Sequence, residues 1–348
     1  MMEANLPGLD LDRLGDYLRR AEPTLAADSF SAELARGGRS NLTYFVTSSQ
    51  GRESQGREFV LRRPPLGHVQ ATAHDMAREY RIMSALAPTA VPVPQTLHLC
   101  TDVEVLGAPF YLMERVIGDV IQSEKQTAAL GIDRAKAISH HVIDTLVALH
   151  ACEPDQIGLG DFGRTEGFLE RQVSRWSKQL EGSRSRDIAG IDDLLNKLAT
   201  SIPSTQRNSI VHGDFRLDNC IIGANNEVAA VVDWEMATLG DSFTDLGLFV
   251  VYWDGLSQIV GNPVANGIKP EYGFPSASDL LQRYALKSGS ELSHIEWYIA
   301  FGYFKLAVIL EGIYLRFSQG QTVGPGFAEI GPLVEPLVSC GHRALRGE

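Results

Sequence analysis

Residues 211–220 read VHGDFRLDNC, and thirteen residues beyond them comes DWE at 233–235. The first stretch packs a histidine, two aspartates, an arginine and an asparagine between apolar positions. The segment between them, CIIGANNEVAAVVDW, reads as strand, Asn-rich turn, strand. Asn219 sits where the first strand begins and Asp233 where the second ends, so a closed hairpin can bring the two to its open end. An amide oxygen and a carboxylate form a hard-oxygen pair that suits Mg²⁺, which keeps waters and takes few protein ligands. Asp214 lies on the loop entering the same end, placed to accept a proton from an attacking hydroxyl. An acid, four residues, an asparagine, a hairpin and an aspartate are the parts that phosphoryl transfer requires.

The rest of the composition narrows the class. The chain has 348 residues, enough for a large core and two lobes. Its net charge of −12 implies no broad basic surface, so no nucleic-acid partner is expected. Cys100, Cys152, Cys220 and Cys340 lie far apart, with no CxxC pair and no metal spacing, as in a cytoplasmic protein with reduced thiols. The N-terminus shows no signal-peptide pattern. The most apolar stretch, 295–318, is interrupted by Glu296, Lys305, Glu311 and Arg316. It is expected to be a core helix rather than a membrane span.

Along the chain, residues 9–20 have helical spacing, and residues 1–30 form an expected N-terminal helical extension. Residues 30–36, 42–47 and 58–62 read as short strands, with a turn signal in GGRSN at 37–41. Residues 71–87 predict a helix ending before Pro88, and further strands end with APFYLMERV at 108–116. Residues 31–117 thus predict a small N-lobe with an antiparallel sheet and one helix. Residues 118–348 predict a larger, mostly helical C-lobe, including helices over 133–149, 166–181 and 190–200.

HGDFRLDN resembles the catalytic loop of the aminoglycoside phosphotransferase/choline kinase superfamily, and DWE resembles its metal-binding segment. The resemblance implies an α+β, protein-kinase-like fold and covers nearly the whole chain. It makes Asp214 the catalytic base, and Asn219 and Asp233 the Mg²⁺ ligands. It assigns Gly37, Gly38, Ser40 and Asn41 to a nucleotide-covering loop, and Glu114 and Val116 to a hinge strand whose backbone holds the base of ATP or GTP. Glu79 matches the helix glutamate that pairs with a phosphate-binding cation. The family has lysine at that cation's place on the third strand. Here Arg62 stands there with Arg63 beside it, and the sequence leaves open which points inward. More narrowly, HGDFRLDN, DWEMATLGD and VLRRPP resemble the kinase-like domain fused to some acyl-CoA dehydrogenases. That implies a hydroxyacyl-CoA as acceptor, reached with no membrane partner.

Other residues carry structural readings beside functional ones. His212 is expected to brace the loop. Arg216 either touches phosphate or lies on the surface, and Glu235 is a second metal-side carboxylate or an exposed group. Asp245 is expected to N-cap the apolar helix that begins there, and the resemblance adds a role bracing the catalytic loop. His150 is expected to favour a helix C-terminus.

The resemblance implies a small-molecule hydroxyl as the acceptor. A polycationic aminoglycoside would call for an acidic lining, yet residues 246–348 hold nine acids against seven bases. Residues 164–186 hold six bases against three acids. There Arg171, Arg175, Lys178 and Trp176 either meet an anionic substrate such as a CoA thioester or form a solvated helix face. The alternatives are an aminoglycoside or amino-alcohol O-phosphotransferase and, from another class, a non-catalytic nucleotide-binding pseudokinase.

Overall fold

The computed structural model describes residues 6–35, 41–49, 56–66, 75–259, 267–321 and 327–348. The chain divides into two compact units: Met1–Ile117 with Ala229–Glu235, and Gly118–Val228 with Met236–Glu348.

The first unit is built on a five-stranded antiparallel sheet. Its strands are β1 (Ser29–Leu34), β2 (Leu42–Ser49), β3 (Glu58–Arg63), β4 (Thr96–Cys100) and β5 (Phe110–Glu114), in the spatial order β1-β2-β3-β5-β4. Three helices accompany it: α1 (Leu11–Ala21), α2 (Met76–Leu86) and the single turn α3 (Val103–Leu106). Residues 71–74, the start of the predicted second helix, lie outside the described residues.

Strand alternation places Phe59 and Leu61 on one face of β3, in a core with Tyr44, Val46, Phe110 and Leu112. Leu14 and Leu18 of α1 belong to that same core. Asp10 caps α1 by accepting from the Arg13 N–H, and Asp75 caps α2 by accepting from the Arg78 N–H. The N-terminal helix is therefore part of the first unit's interior.

The second unit is mostly helical. It holds α4 (Glu124–Ala129), α5 (Ile132–Ala151), α6 (Phe168–Ser183), α7 (Ile191–Thr200), α8 (Phe243–Val250), α9 (Ala277–Ser288), α10 (Ile295–Ser318) and α11 (Val334–Ala344). Short strands interleave with them: β6 (Asp119–Val120), β7 (Asn208–Val211), β8 (Cys220–Ile222) and β10 (Thr238–Asp241), while β9 (Val228–Val231) carries the chain into the 229–235 segment of the first unit.

The strand pair β7–β10 positions the HGDFRLDN loop. β7 runs antiparallel to β10, with Val211 opposite Thr238. The loop leaving β7 and the helix entered from β10 thereby start from neighbouring strands. The helix α10 is long and apolar enough to span a bilayer, but two thirds of its apolar window is buried inside the protein. Its Glu311 is fully buried and accepts from Ser185 and Arg186.

If α1 is structural, Leu14→Ala should lower stability by about 2–5 kcal/mol, read as a shift of the urea midpoint. A dispensable appendage would give a shift close to zero.

Candidate active site

In the first unit the site is built around β3. Arg62 and Arg63 are adjacent on a strand, so their side chains leave on opposite faces. Arg63 shares the face of Phe59 and Leu61. It is 3% exposed, and its guanidinium donates to the carbonyls of Gly8 and Leu106. Arg62 leaves on the other face. Its Nε lies 3.1 Å from Glu79 Oε2, and its Nη2 donates to Asp233 Oδ1. The question the sequence leaves open is thus answered by the register of one strand, and Arg62 is the cation of the site.

Glu79 lies on the buried stripe of α2 with Met76, Ile82, Met83 and Leu86. It accepts from the Tyr111 hydroxyl at 3.0 Å and from the Asn41 amide at 3.1 Å. The same Asn41 amide donates to Glu235 at 3.2 Å, and Glu235 lies 3.9 Å from Arg62. Asn41 is therefore wedged between two carboxylates, and Glu235 is tied into this cluster rather than exposed. Gly37, Gly38 and Ser40 lie outside the described residues. Glu114 ends β5, and its N–H donates to the carbonyl of Gln95; Val116 lies just beyond the strand.

Burial pushes the Glu79 carboxyl above its usual range, and the Arg62 charge pulls it back. For Arg62, burial works against the charge, but Tyr111, Glu79 and Asp233 outweigh it and hold the guanidinium charged. Asp233 itself has φ +67°, a left-handed conformation that Asp tolerates better than most residues.

In the second unit, the loop after β7 is pinned from below. Asp245 is fully buried on α8. Its Oδ2 accepts from the His212 N–H at 2.7 Å, and its Oδ1 accepts from the Gly213 N–H at 2.8 Å. Asp245 therefore does not N-cap its helix, contrary to the expectation from sequence. Asp241 supplies the local turn instead, accepting from the Phe243 N–H at 3.0 Å. With that contact made, the carboxylate of Asp245 in the first turn faces the loop.

His150 Nε2 lies 3.3 Å from Asp245, and His150 Nδ1 lies 2.9 Å from the Tyr284 hydroxyl. His150 thus sits in the last turn of α5, as expected, and also anchors Asp245. Burial alone would raise the Asp245 carboxyl, but His150, His212 and the Gly213 N–H hold it below the usual value.

The loop itself is tightly drawn. Gly213 has φ +84°, and a side chain there would come within 2.8 Å of Met236, so only glycine fits without strain. His212 is buried, and its Nδ1 accepts from the Asp214 N–H at 3.2 Å, which places its own ring proton on Nε2. The Asn219 amide nitrogen donates to the Asp214 carbonyl at 2.9 Å and to its carboxylate at 3.2 Å. Arg216 pairs with Asp218 at 3.0 Å, lies 3.5 Å from Asp214, and stacks over the Tyr252 ring. Burial first, and the Asp214 charge second, push the Tyr252 hydroxyl well above its ordinary value.

The sequence did not reveal Lys305. It projects from α10, and its ammonium donates to the Gly213 carbonyl at 2.6 Å. Its signal was there to read: a cation inside the most apolar helix is costly to bury without a partner. Trp176, expected as a substrate contact on a basic helix, is only 6% exposed and belongs with Val173 and Leu180 to the buried face of α6. Arg171 folds back onto the carbonyls of Glu166 and Arg164.

Each unit offers an oxygen donor of the kind a hard divalent cation takes. Both amide hydrogen bonds of Asn219 use its nitrogen, leaving the oxygen for a cation. Asp233 offers an oxygen beyond the one held by Arg62, and its side chain is 31% exposed.

A five-stranded antiparallel sheet with a buried cation–glutamate pair, and a helical unit with an Asp–x₄–Asn loop, are the parts of a protein-kinase-like fold. The chain belongs to the phosphotransferase enzyme family, whose profile matches residues 31–277. A solved structure from Ralstonia eutropha JMP134, provisionally named an aminoglycoside phosphotransferase, is 30% identical. It aligns over 97% of this chain and 98% of its own, with a TM-score of 0.81. The choline kinase of Cryptosporidium parvum, at 12% identity, covers 97% of this chain and 96% of its own with a TM-score of 0.61, and it shares the fold. Mouse acyl-CoA dehydrogenase family member 10 is 34% identical over 94% of this chain. This chain spans 30% of that protein's length, and 43% of the chicken family member 11, which is 30% identical over 95% of this chain.

Asp245→Asn should lower stability by about 1–3 kcal/mol near neutral pH, because an amide cannot accept from both loop N–H groups with equal strength. The native Asp245 carboxyl is held below its unfolded value. Its stabilisation is therefore complete above the unfolded value and is lost as pH falls through the folded one. The gap between wild type and variant should narrow below about pH 4 in a urea-melt series. A gap independent of pH would contradict the ionic anchor.

Proposed function

We propose that the chain transfers the γ-phosphoryl group of ATP, or GTP, to the hydroxyl of a hydroxyacyl-CoA. The observation that supports this best is Arg62, a permanently charged guanidinium held by Glu79 and Asp233. Among the described residues its Nη1 makes no hydrogen bond, so that donor can reach phosphate oxygens. Asp214 takes the proton from the acceptor hydroxyl as its oxygen bonds to the γ-phosphorus and the bond from that phosphorus to the bridging oxygen breaks, releasing ADP or GDP. Asn219 and Asp233 supply oxygens to Mg²⁺, which when bound neutralises charge on the nucleotide phosphates. His212, Asp245 and Asn219 hold Asp214 in place, so little reorganisation accompanies the reaction. Glu114 and Val116 offer backbone groups to the base of the nucleotide.

The acceptor class rests on two supports. Relatives that contain a matching segment are named as acyl-CoA dehydrogenase family members, so a hydroxylated acyl-CoA is a substrate their two parts could share. Residues 246–348 are nearly balanced in charge, which does not suit a polycationic antibiotic.

Asp214→Asn should lower kcat by about 10²- to 10⁴-fold while leaving the KM for ATP within a few-fold. Mg²⁺-dependent ADP release with 4-hydroxyhexanoyl-CoA and with kanamycin as paired acceptors measures it. Turnover on kanamycin alone would overturn the acceptor and keep the chemistry. Nucleotide binding without turnover on any hydroxyl acceptor, unchanged by the variant, would make the protein a nucleotide-binding module.

A further inference from the structure

The buried face of α6 and the single lysine of α10 meet around one indole. Lys305 Nζ lies 5.4 Å from the centroid of the Trp176 ring, and the Arg175 guanidinium carbon lies 5.9 Å from it. Two cations thus share one aromatic ring. Arg175 is exposed and makes no ion pair among the described residues. The Lys305 ammonium donates to a neutral group, the carbonyl of Gly213.

The same indole carries a second anomaly. Trp176 is 6% exposed, yet its Nε1–H has no hydrogen-bond partner among the described residues. Buried indole N–H groups ordinarily find an acceptor. Burial lowers the Lys305 ammonium below its ordinary value, the charges of Asp214 and Asp245 oppose that, and Arg175 lowers it further. Two like charges lie over the ring and an orphan donor sits at its edge, and among the described residues no acid of α6 or α10 is paired with either cation. An oxyanion would answer all three.

From this arrangement we infer that Arg175, Lys305 and the Trp176 indole N–H form a seat for an anionic group of the acceptor, a phosphate or a carboxylate, beside the loop that carries the catalytic Asp214. This rests on the kinase reading, and it adds where the acceptor's charge is read. Lys305 touches the carbonyl of Gly213, so an anion drawn to Lys305 is drawn to the catalytic loop. Binding energy from a remote charged group of the acceptor would then orient the reacting hydroxyl. Arg175 makes the seat selective, since a cationic acceptor would meet two positive charges there.

The chain has four tryptophans, so a ¹⁵N spectrum shows four indole signals. Trp176→Phe assigns the one that matters. The protein is first saturated with a non-hydrolysable ATP analogue and Mg²⁺, so that added anions do not compete at the nucleotide site. Inorganic phosphate and acetate are then titrated separately into the tens of millimolar. The Trp176 signal should shift saturably, with the stronger response telling phosphate from carboxylate. Arg175→Met, a surface change that spares the fold, should weaken that response by about tenfold, and Lys305→Met should abolish it. Affinity for the ATP analogue should stay unchanged in Arg175→Met. No movement of the Trp176 signal with either anion, or a shift undiminished in Arg175→Met, would overturn the seat. Loss of ATP-analogue binding in the wild type would instead sink the kinase reading, so the two failures read differently.

Discussion

The buried contact of Arg62 with Glu79 and Asp233 is the constraint on which the first unit's site depends. Two carboxylates near one another in a largely dry environment repel, and each loses solvation. One guanidinium, with a planar fork of donors, meets both at once. A lysine ammonium is a compact point charge and would satisfy such a pair with less geometric definition. The arginine at a position where the family has lysine is therefore consistent with a site that retains its cation. Tyr111 and Asn41 supply neutral donors to Glu79, so its oxygens are satisfied without a second cation. Removing Arg62 would leave the buried Glu79 without its cation, which is why the cluster specifies a geometry more than it adds stability.

A different kind of anchor holds the loop of the second unit. Asp245 accepts two consecutive backbone N–H groups, a motif that fixes a peptide's orientation as well as its position. β7 delivers the loop and β10 delivers α8, and the pairing of these two strands sets the distance between them. His150 and Tyr284 continue the hydrogen bonds away from the loop into the interior. The HGDFRLDN loop thus rests on a chain of buried polar groups, each with a partner, where an unpartnered member would cost more than the chain gains.

Much of this was legible in residue order. The HGDFRLDN stretch, the hairpin behind it and the sheet strands of the first unit all carry local signals: turn residues, alternation and close spacing. What sequence reasoning lost was side-chain direction. Arg62 and Arg63 are equivalent on paper, and only the register of β3 against β2 and β5 separates a cation in the site from one sealed in the core beside α1. The N-cap reading of Asp245 rested on its nearest neighbours, whereas the cap position is Ser242, three residues earlier, and the loop-bracing role implied by the resemblance is the one the side chain fills. Its true partners are 32 and 33 residues away. Trp176 was read by the charges around it, although helical spacing put Val173 and Leu180 on its side.

Lys305 shows what a more physical reading would have caught. In a helix whose other inward positions are apolar, one charged residue is either an error of packing or a tethered group with a task. Glu311, on the same helix, resolves its cost locally, with Ser185 and Arg186 supplying donors to a fully buried carboxylate. Lys305 resolves only part of its cost, because a single carbonyl does not balance a positive charge. Asp214 and Asp245 balance it at longer range, and Arg175 works against them. The asymmetry between the two residues is the point: Glu311 is met by donors in contact with it, whereas Lys305 touches one neutral carbonyl and is balanced by carboxylates at longer range.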